Sequence, residues 1–554
     1  MEQCESLNEK LFPSSAEGPT NCPFPKKSEE PKSTSTRPNS SDLLRLMSAR
    51  FFSPVRVVSE KTLLVSTFES LFRNGLHYFQ GLSIEHFWKD EGKYNVLHLD
   101  FSRLTNFSNI EEFRFKLNDY LITAFEFCGL SFPQTKQTVA SNFESWLGTC
   151  PHQSVVFLVD EYDTPLTAVL QDPNLFKLVR KELYEFYSVV KSRTSFFRFV
   201  FMTGITKFSE TGIFSVLNDL TDISLRPTYA ALLGYMQDEL LSYFGKQINH
   251  AGEVLGLTVD ELLLHLEENY DGYCFDGLAG APRKPVRVYN PWSVLSFLKY
   301  PEIGFQNYWI TSGGKPQLLT QYFSDHALQS PEEYSKEKLV SYSDLDGSSD
   351  IDAINDVALL TQAGYLTIRE KINSDDLLVS YPNREVADSM AKLYTNLLLR
   401  KRSISEVGAR SFVKALTAGN AALAMSEINK VFLAVNYERY PVRNEAAVQA
   451  NLQIFVTGAG FNAIVEKHNA CGRSDLEFDA DGWHWVFGLK YLPESDASAA
   501  TSAAERLCEE AAKQIFSRRY GEGCHGKLIR VAAVFNEAER QFTCWKLVED
   551  PLSK

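Results

Sequence analysis

The chain has 554 residues, of which 44% are hydrophobic and 23% are charged, as is typical of a folded globular protein and not of a disordered one. At about 150 residues per domain, this length favours three or four domains. The formal net charge of -14 at pH 7 excludes a protein that coats nucleic acid through its bulk charge, although it is compatible with a local basic groove.

Targeting segments and paired cysteines are missing from the sequence. No run of ~18 apolar residues predicts a transmembrane helix, and residues 1–10 lack the basic and then apolar stretches of a secretory signal. Nine cysteines are scattered without a CxxC pair, which favours reduced thiols and disfavours a paired-cysteine zinc site. We therefore expect an intracellular protein, cytoplasmic or nuclear, without membrane contact.

The first residues differ in composition from the rest. Residues 1–42 are rich in Ser, Pro, Lys and Glu, and this composition predicts a disordered, solvated tail. The stretch DLLRLMSARFF, residues 42–52, has the apolar spacing of a helix. The folded part of the chain is therefore expected to begin near residue 43.

Strand-like and helix-like stretches alternate after this point. We predict strands at 94–102, 154–166 and 196–209, and helices at 109–130 and 175–192. Strands that alternate with helices at this spacing indicate a parallel sheet with helices on both faces. Ligands of such sheets bind beyond the carboxyl ends of the strands.

The middle and the end of the chain follow other patterns. Residues 235–345 are predicted to be mainly helical, and 356–398 have the order helix, strand, strand, helix of a winged-helix-like unit. From residue 441 a compact α/β domain is expected. Its predicted elements are a helix at 444–457, strands at 461–467, 474–480 and 483–491, a helix at 500–519 and a strand at 527–534.

The clearest chemical motif is VVFLVDEYD, a buried strand that ends in two adjacent acids. Buried carboxylates are costly unless they find partners, and Mg²⁺ is a suitable one. In that interpretation Asp160 holds the ion and Glu161 orients an attacking water. The alternative is a strand end that reaches solvent, where both acids are hydrated.

A phosphate-binding loop should accompany these acids, with backbone N–H groups at the start of a helix followed by Lys and then Ser or Thr. The upstream candidate is RVVSEKTLLVSTFESLF, in which Lys61 and Thr62 open an apolar-periodic helix. Glu60 stands where a glycine is expected before the lysine, and no glycine occurs between 43 and 74. Both features predict weakened nucleotide binding, because glycine adopts the loop geometry freely and a carboxylate repels phosphate.

From Lys61 to about Ser330 the chain resembles the AAA-ATPase-like family of bacterial and eukaryotic proteins that carry a C-terminal PD-(D/E)XK nuclease domain. The matching stretches are KTLLVSTFESLF, FQGLSIE, KYNVLHLDFS, VVFLVDEYDTPL, FVFMTGITKFS, FSVLNDLTDISL, YDGYCF, YNPWSVLSFL and YWITSGG. The resemblance implies that Asp160 and Glu161 form the Walker B pair, with ATP and Mg²⁺ as cofactors.

The same resemblance implies further site residues. Lys61 and Thr62 correspond to the Walker A residues, with Thr62 on the metal, and residues 203–207 to a sensor segment with Thr206 and Lys207 near the γ-phosphate. The family's first strand lies upstream, where this chain is Ser/Pro-rich. Together with Glu60, this departure predicts weak or lost ATP binding and hydrolysis.

The C-terminal segment places Asp475 on one strand, Lys490 on the next and Gln514 on a following helix. It resembles the PD-(D/E)XK module from about 441 to 547, through the stretches NEAAVQANL, GRSDLEF, FGLKY and QIFSRRY. The resemblance implies that Asp475 holds Mg²⁺, that Lys490 stabilises the nucleophile or the scissile phosphate, and that Gln514 is the family's helix residue.

This module also departs from its family. Gly488 stands where the family has the glutamate of E-x-K, and loss of one of two carboxylates should weaken metal binding. Glu466, at the end of the preceding strand, or Glu477, two residues after Asp475, is the candidate replacement.

These observations lead to one architecture and two functions. The predicted domains are a tail (1–42), an AAA-ATPase-like parallel-sheet domain (43–235), a helical region (236–345), a winged-helix-like and helical linker (346–440) and an α/β restriction-endonuclease-like domain (441–554). The first function is Mg²⁺-dependent nucleotide binding coupled to cleavage of nucleic-acid phosphodiesters. The alternative is a regulatory or binding protein, a pseudoenzyme that keeps both folds without efficient catalysis.

Overall fold

The computed structural model describes most of the chain beyond residue 49, and the chain forms two compact units. The described residues are 50–53, 58–82, 84–129, 138–205, 220–280, 284–309, 319, 322–323, 326, 328–346, 355–400, 402–465, 467–469, 472–494, 497–524 and 526–549. The first unit contains 1–322 and 336–386, and the second contains 323–335 and 387–554. The predicted tail, 1–42, lies outside the described residues.

A five-stranded parallel sheet organises the first unit. Its strands are β1 (Arg50–Ser53), β2 (Asn95–Asp100), β3 (Val155–Asp160), β4 (Phe197–Thr203) and β5 (Thr221–Asp222). They lie in the order β2-β3-β4-β1-β5, and every neighbouring pair is parallel. All carboxyl ends of the strands therefore meet at one edge of the sheet, as the alternating pattern predicted.

Helices cover both faces of this sheet. Those of the first half of the unit are α1 (Val58–Asn74), α2 (Ile84–Phe87), α3 (Ile110–Phe127), α4 (Val139–Leu147), α5 (Thr164–Thr167) and α6 (Pro173–Ser192). On one face Phe68 of α1 packs against the rings of Phe199 and Phe201, with centroids 5.2 and 5.1 Å away. On the other face Phe143 of α4 packs against Phe157, at 5.8 Å. The alternating side chains of β3 and β4 thus fill two separate cores.

Strand β1 corrects two sequence predictions. Residues 50–53, predicted as the end of a helix, form a strand between β4 and β5, and a first strand is present although the upstream residues are Ser/Pro-rich. Ser53 precedes Pro54, and a residue before proline is pushed away from helical geometry toward extended geometry. The apolar spacing of a short stretch could not reveal this, because short apolar runs do not separate helix from strand.

The middle region is mainly helical, with one small sheet. Its helices are α7 (Gln237–Leu255), α8 (Val259–Tyr270), α9 (Pro291–Lys299), α10 (Pro331–Ser335), α11 (Tyr342–Asp346), α12 (Asp356–Gln362) and α13 (Arg384–Leu398). Its strands β6 (Lys338–Ser341), β7 (Thr367–Lys371) and β8 (Asp376–Ser380) form an antiparallel sheet in the order β6-β8-β7. The order α12, β7, β8, α13 matches the predicted winged-helix-like pattern, and β6 is an addition.

The second unit contains a mixed sheet flanked by helices. Its remaining helices are α14 (Phe412–Thr417), α15 (Ala421–Leu433), α16 (Glu445–Gly458) and α17 (Ala497–Ser517). Its strands are β9 (Ile464–Val465), β10 (His468–Asn469), β11 (Gly472–Arg473), β12 (Leu476–Ala480), β13 (Trp483–Leu492), β14 (Lys527–Asn536) and β15 (Gln541–Leu547). The main sheet has the order β15-β14-β13-β12-β9, in which only β13 and β14 are parallel. Strand β15 was not predicted.

Helix α17 lies against one face of this mixed sheet. Its apolar residues share a buried cluster with residues of β13 and β14, among them Ile515, Val486 and Ala532. In the part of the chain that the structure describes, no helix has the length and apolar character needed to cross a membrane.

Candidate functional site

The first candidate site lies at the carboxyl end of β3, where the start of α1 reaches the sheet. Thr62, the fifth residue of α1, donates from Oγ1 to Oδ2 of Asp160 over 2.6 Å. Asp160 is 2% exposed, and its Oδ1 accepts the backbone N–H of Glu161 at 3.1 Å. The two residues that the sequence assigned to a magnesium ion are therefore in direct contact.

Lys61 points into the same end of the sheet but is already bonded. Its side chain is 1% exposed, and Nζ donates to the carbonyl oxygen of Gly204 at 3.1 Å. Burial raises the pKa values of Asp160 and Glu161, and the positive charge of Lys61 acts against that rise. A Walker A lysine acts by reaching the phosphates of a nucleotide. Here the ammonium would first have to leave the Gly204 carbonyl.

The two acids after β3 are held in an unusual environment. Burial raises the pKa of Asp160 and of Glu161 above the ordinary values, even with the Lys61 charge beside them. Glu161 has a φ of 52°, in the left-handed region, and its Oε2 accepts the hydroxyl of Thr164 at 3.1 Å. Such backbone strain at a non-glycine residue is concentrated at functional sites.

The turn after β3 also holds the segment that follows β4. The carboxylate of Asp163 accepts the backbone N–H of Ile205 at 3.2 and 3.1 Å. A Cβ on Gly204 would lie 2.6 Å from Oδ1 of Asp163, so the close approach needs glycine at this position. Thr206 and Lys207, predicted to lie near the γ-phosphate, fall outside the described residues.

The second candidate site lies where β12 begins beside β13. Asp475 immediately precedes β12, and its Oδ2 accepts the backbone N–H of Leu489 at 2.6 Å. Burial raises the pKa of Asp475, while the Leu489 N–H and the Lys490 charge act to lower it. Asp475 and Lys490, the acid and the lysine of the sequence motif, therefore belong to the same end of one sheet.

A third residue completes this group. Lys490 Nζ lies 3.2 and 3.4 Å from the two carboxylate oxygens of Glu445, the first residue of α16. Glu445 is also close enough to raise the pKa of Asp475. The side chain of Asn444 caps the helix by accepting the backbone N–H of Ala447 at 2.8 Å. This cap fixes where the helix begins and hence where Glu445 stands.

The position of the missing family glutamate is covered by a helix. A Cβ built on Gly488 would lie 2.7 Å from Cδ1 of Ile515, on α17. A larger residue at 488 therefore requires Ile515 to move. The packing around position 488 therefore leaves no room for a glutamate side chain unless Ile515 moves. Among the described residues, Glu445 is an acid that lies beside Lys490.

Glu477, one of the two suggested replacements for that glutamate, is bonded to other residues than Lys490. Oε2 of Glu477 lies 3.1 Å from Nε2 of His484 and 3.0 Å from Nζ of Lys467. Glu477 is thus the centre of a buried ion-pair network. Its partners are His484 and Lys467, and not Lys490. Glu466 falls outside the described residues.

Gln514 is hydrogen-bonded to a residue close to it in the chain. Its Nε2 donates to Oη of Tyr520, which is fully buried, at 2.9 Å. Within the described residues, no hydrogen bond joins Gln514 to Asp475 or Lys490. The bond to Tyr520 ties the end of α17 to the turn that follows it.

Each site offers a small set of oxygen ligands. The described residues contain no cluster of three or more His, Cys, Asp or Glu side chains arranged to hold a metal ion. Mg²⁺ needs no such cluster, because it is commonly held by one or two carboxylates together with waters and substrate phosphate. Asp160 with Thr62, and Asp475 with Glu445, both fit that requirement by the chemistry of their donors.

Glu445 is the second residue of the stretch NEAAVQANL, and the sequence analysis assigned it no function. The available signal was its position directly after Asn444, a favourable N-cap residue, because this spacing predicts that the helix starts at Glu445. The sequence could not show that the start of this helix lies beside Lys490, because the two residues are 45 positions apart in the chain.

Comparison with known families agrees with this geometry. Residues 49–214 match a family model described as "Predicted AAA-ATPase", and residues 443–545 match one described as "PD-(D/E)XK nuclease superfamily". The chain therefore carries an AAA-ATPase-like domain and a PD-(D/E)XK nuclease superfamily domain.

A relative of similar length is known from Azotobacter chroococcum mcd 1, where it is described as "Uncharacterized protein in vnfD 5'region". It is 29% identical to this chain over 449 residues, which cover 79% of this chain and 82% of the relative. The similarity thus extends well beyond either matched domain, and the description of the relative assigns it no activity.

Proposed function

We propose that the C-terminal domain hydrolyses phosphodiester bonds of nucleic acid with the help of a divalent cation. The observation that carries the proposal is the meeting of Asp475, Glu445 and Lys490 at one end of the mixed sheet. Two carboxylates supply oxygen ligands, and the lysine supplies a positive charge where a phosphate would approach. These are the residue types that metal-assisted phosphodiester hydrolysis requires.

The residues of this site would divide the task between them. Asp475 and Glu445 would hold the cation, which lowers the pKa of a water and neutralises charge that develops on the phosphate. The Leu489 N–H fixes one oxygen of Asp475 and so orients the carboxylate. Lys490, now shared with Glu445, would turn its ammonium toward the scissile phosphate once the cation satisfies the glutamate.

The N-terminal domain would bind a magnesium nucleotide and regulate the nuclease. Thr62 and Asp160 would hold the metal, Glu161 would orient water, and Lys61 would contact phosphate after release from Gly204. Because Lys61 is satisfied inside the protein, we expect the affinity for nucleotide to be low. Regulation would then depend on the cellular concentration of the nucleotide.

A cleavage assay tests the nuclease proposal. Supercoiled plasmid and single-stranded RNA are incubated with the full chain and Mn²⁺ or Mg²⁺. Asp475→Asn should abolish cleavage, because it removes a ligand charge from the cation. Asp481→Asn is the matched control: it makes the same charge change at an exposed turn residue of the same hairpin, whose φ of 46° asparagine tolerates. Equal cleavage by the two variants would refute the proposal.

One observation favours the non-catalytic alternative for the N-terminal domain. The buried ammonium of Lys61 already neutralises part of the charge of Asp160 and Glu161, and it already has a carbonyl partner. The domain would then fold and act without nucleotide turnover. A nucleotide-hydrolysis assay at high nucleotide and Mg²⁺ concentration separates the two proposals: turnover that Glu161→Gln abolishes would refute the alternative.

A further inference from the structure

A row of polar groups extends the N-terminal site beyond the motif residues. In the parallel ladder, Asp100 at the end of β2 is the register partner of Asp160 at the end of β3. Register partners on neighbouring strands place their side chains on the same face, with about 4.8 Å between the strands. Asp100 is therefore a second acid beside Asp160, on the face that α1 covers.

The next strand adds a buried hydroxyl to this row. Met202 is the register partner of Val159, so Thr203 stands beside Asp160 on the same face. Thr203 is fully buried, and its Oγ1 has no hydrogen-bond partner among the residues that the structure describes. A buried hydroxyl without a partner loses its hydration without compensation, so its presence points to a group that it would contact.

Hydrogen bonds fix the position of Asp100, and its ion pair with Arg103 is long. Its Oδ1 accepts the backbone N–H of Ser102 at 3.0 Å, and its own backbone N–H donates to Oη of Tyr120 at 2.6 Å. The nearest cation is Arg103, whose Nε lies 3.8 Å from Oδ2 and whose side chain is 71% exposed. The Asp100 side chain is 33% exposed and so remains accessible to an ion.

The charges at this end of the sheet favour a cation over an anion. Asp100, Asp160 and Glu161 are three carboxylates, and Lys61 is the buried ammonium among them, with its Nζ bonded to a carbonyl. A polyphosphate entering alone would meet net negative charge. A divalent cation would reduce that repulsion and could take oxygens from the two register-paired carboxylates.

We propose that Asp100 is a ligand of a divalent-cation site shared with Asp160 and Thr62, with the Thr203 hydroxyl at its border, and that this site fills without nucleotide. The inference rests on the proposed metal role of Thr62 and Asp160. It extends that role to a residue outside the Walker motifs, and it implies that the cation can enter before the nucleotide.

Mn²⁺ binding by the full chain tests the inference without any enzymatic readout. The titration is followed by electron paramagnetic resonance of free Mn²⁺, without nucleotide, in a variant whose nuclease site is disabled by Glu445→Gln and Asp475→Asn. In this background one bound Mn²⁺ is expected. Asp100→Asn should weaken its binding by about tenfold, as expected for loss of one ligand charge. Asparagine keeps an oxygen for the Ser102 N–H.

Two further variants keep the result interpretable. Asp119→Asn, on the exposed side of α3, makes the same charge change away from the site and should leave binding unchanged. Asp100→Glu keeps the charge and should retain affinity within about threefold. The role of Asp100 would be overturned if Asp160→Asn abolishes Mn²⁺ binding while Asp100→Asn leaves it intact. The site itself would be overturned if no Mn²⁺ binds in this background. Neither result depends on the nuclease proposal, which the cleavage assay tests separately.

Discussion

Replacement of Glu477 by glutamine probes the buried ion pairs that hold β12 against β13. Glu477 is 3% exposed and bonded to both His484 and Lys467. Glutamine keeps the shape of the side chain but removes its charge. Lys467 would then lose its anion, and His484 would keep only Asp479, 2.7 Å from its Nδ1. A buried pair that loses one member is strongly destabilised.

The magnitude follows from the pKa of this carboxyl group. Burial acts to raise the pKa of Glu477, but hydrogen bonds from His484, Ser474 and Lys467 outweigh it and lower the pKa from 4.5 to about 2. At about 1.4 kcal/mol per pH unit, this difference corresponds to about 3 kcal/mol of unfolding free energy. Because the folded state has the lower pKa, the stabilisation is present above pH 4.5 and is lost as the pH falls toward 2.

His484 contributes with the opposite sign. Its bond to Glu477 raises its pKa above the ordinary 6.5, against the effect of burial. Its share of the stabilisation is therefore present below pH 6.5 and is lost as the pH rises through the raised value. The difference in stability between the natural chain and Glu477→Gln should be largest between the two limits, near pH 5 to 6.

Hydrogen exchange of β12 and β13 peptides in increasing urea measures the free energy of local opening at the ion pairs. Peptides of the first unit serve as an internal reference. Glu477→Gln should lower the free energy of opening by about 3 kcal/mol near pH 6, and the difference should shrink at pH 3. Equal protection of the two proteins at pH 6, or a difference that does not change with pH, would refute the ion-pair account.

Two further predictions concern residues buried at the sites. Lys61→Met should destabilise the first unit by about 2–4 kcal/mol in urea unfolding, because the Gly204 carbonyl and two buried acids lose their cation. Unchanged stability would show that Lys61 does not stabilise the buried acids. Gly488→Glu alone should cost about 1–3 kcal/mol through contact with Ile515, whereas Gly488→Glu with Ile515→Ala should raise Mn²⁺ affinity at the nuclease site. No gain in calorimetric titration would argue against the placement of residue 488 beside the cation.

The parts of the fold that sequence could predict are those that periodicity and strand direction determine. Alternating strands and helices predicted a parallel sheet, and a parallel sheet gathers its strand ends at one edge. Asp160 lies at that edge, where Thr62 donates to it, and the role of both residues as metal ligands stays a prediction. Strands were also predicted at 474–480 and 483–491, where the structure has β12 and β13.

What sequence could not predict depends on packing between distant elements. The short β1 strand has too few residues for a periodic signal, and it is held by the ladders to its neighbours. The approach of Glu445 to Lys490 depends on where α16 sits on the sheet, and the cover over Gly488 depends on Ile515 of α17. Such contacts between elements are set by three-dimensional packing, on which a one-dimensional pattern carries no information.

The most direct test of the account is the rate of Mn²⁺-dependent cleavage by Glu445→Gln. If Glu445 replaces the acid missing at Gly488, its loss should reduce cleavage by about 100-fold or more while the unfolding transition stays close to that of the natural chain, since the Lys490–Glu445 pair is partly exposed. Cleavage at the natural rate in this variant would mean that Asp475 and Lys490 act without Glu445, and the proposed arrangement of the site would be wrong.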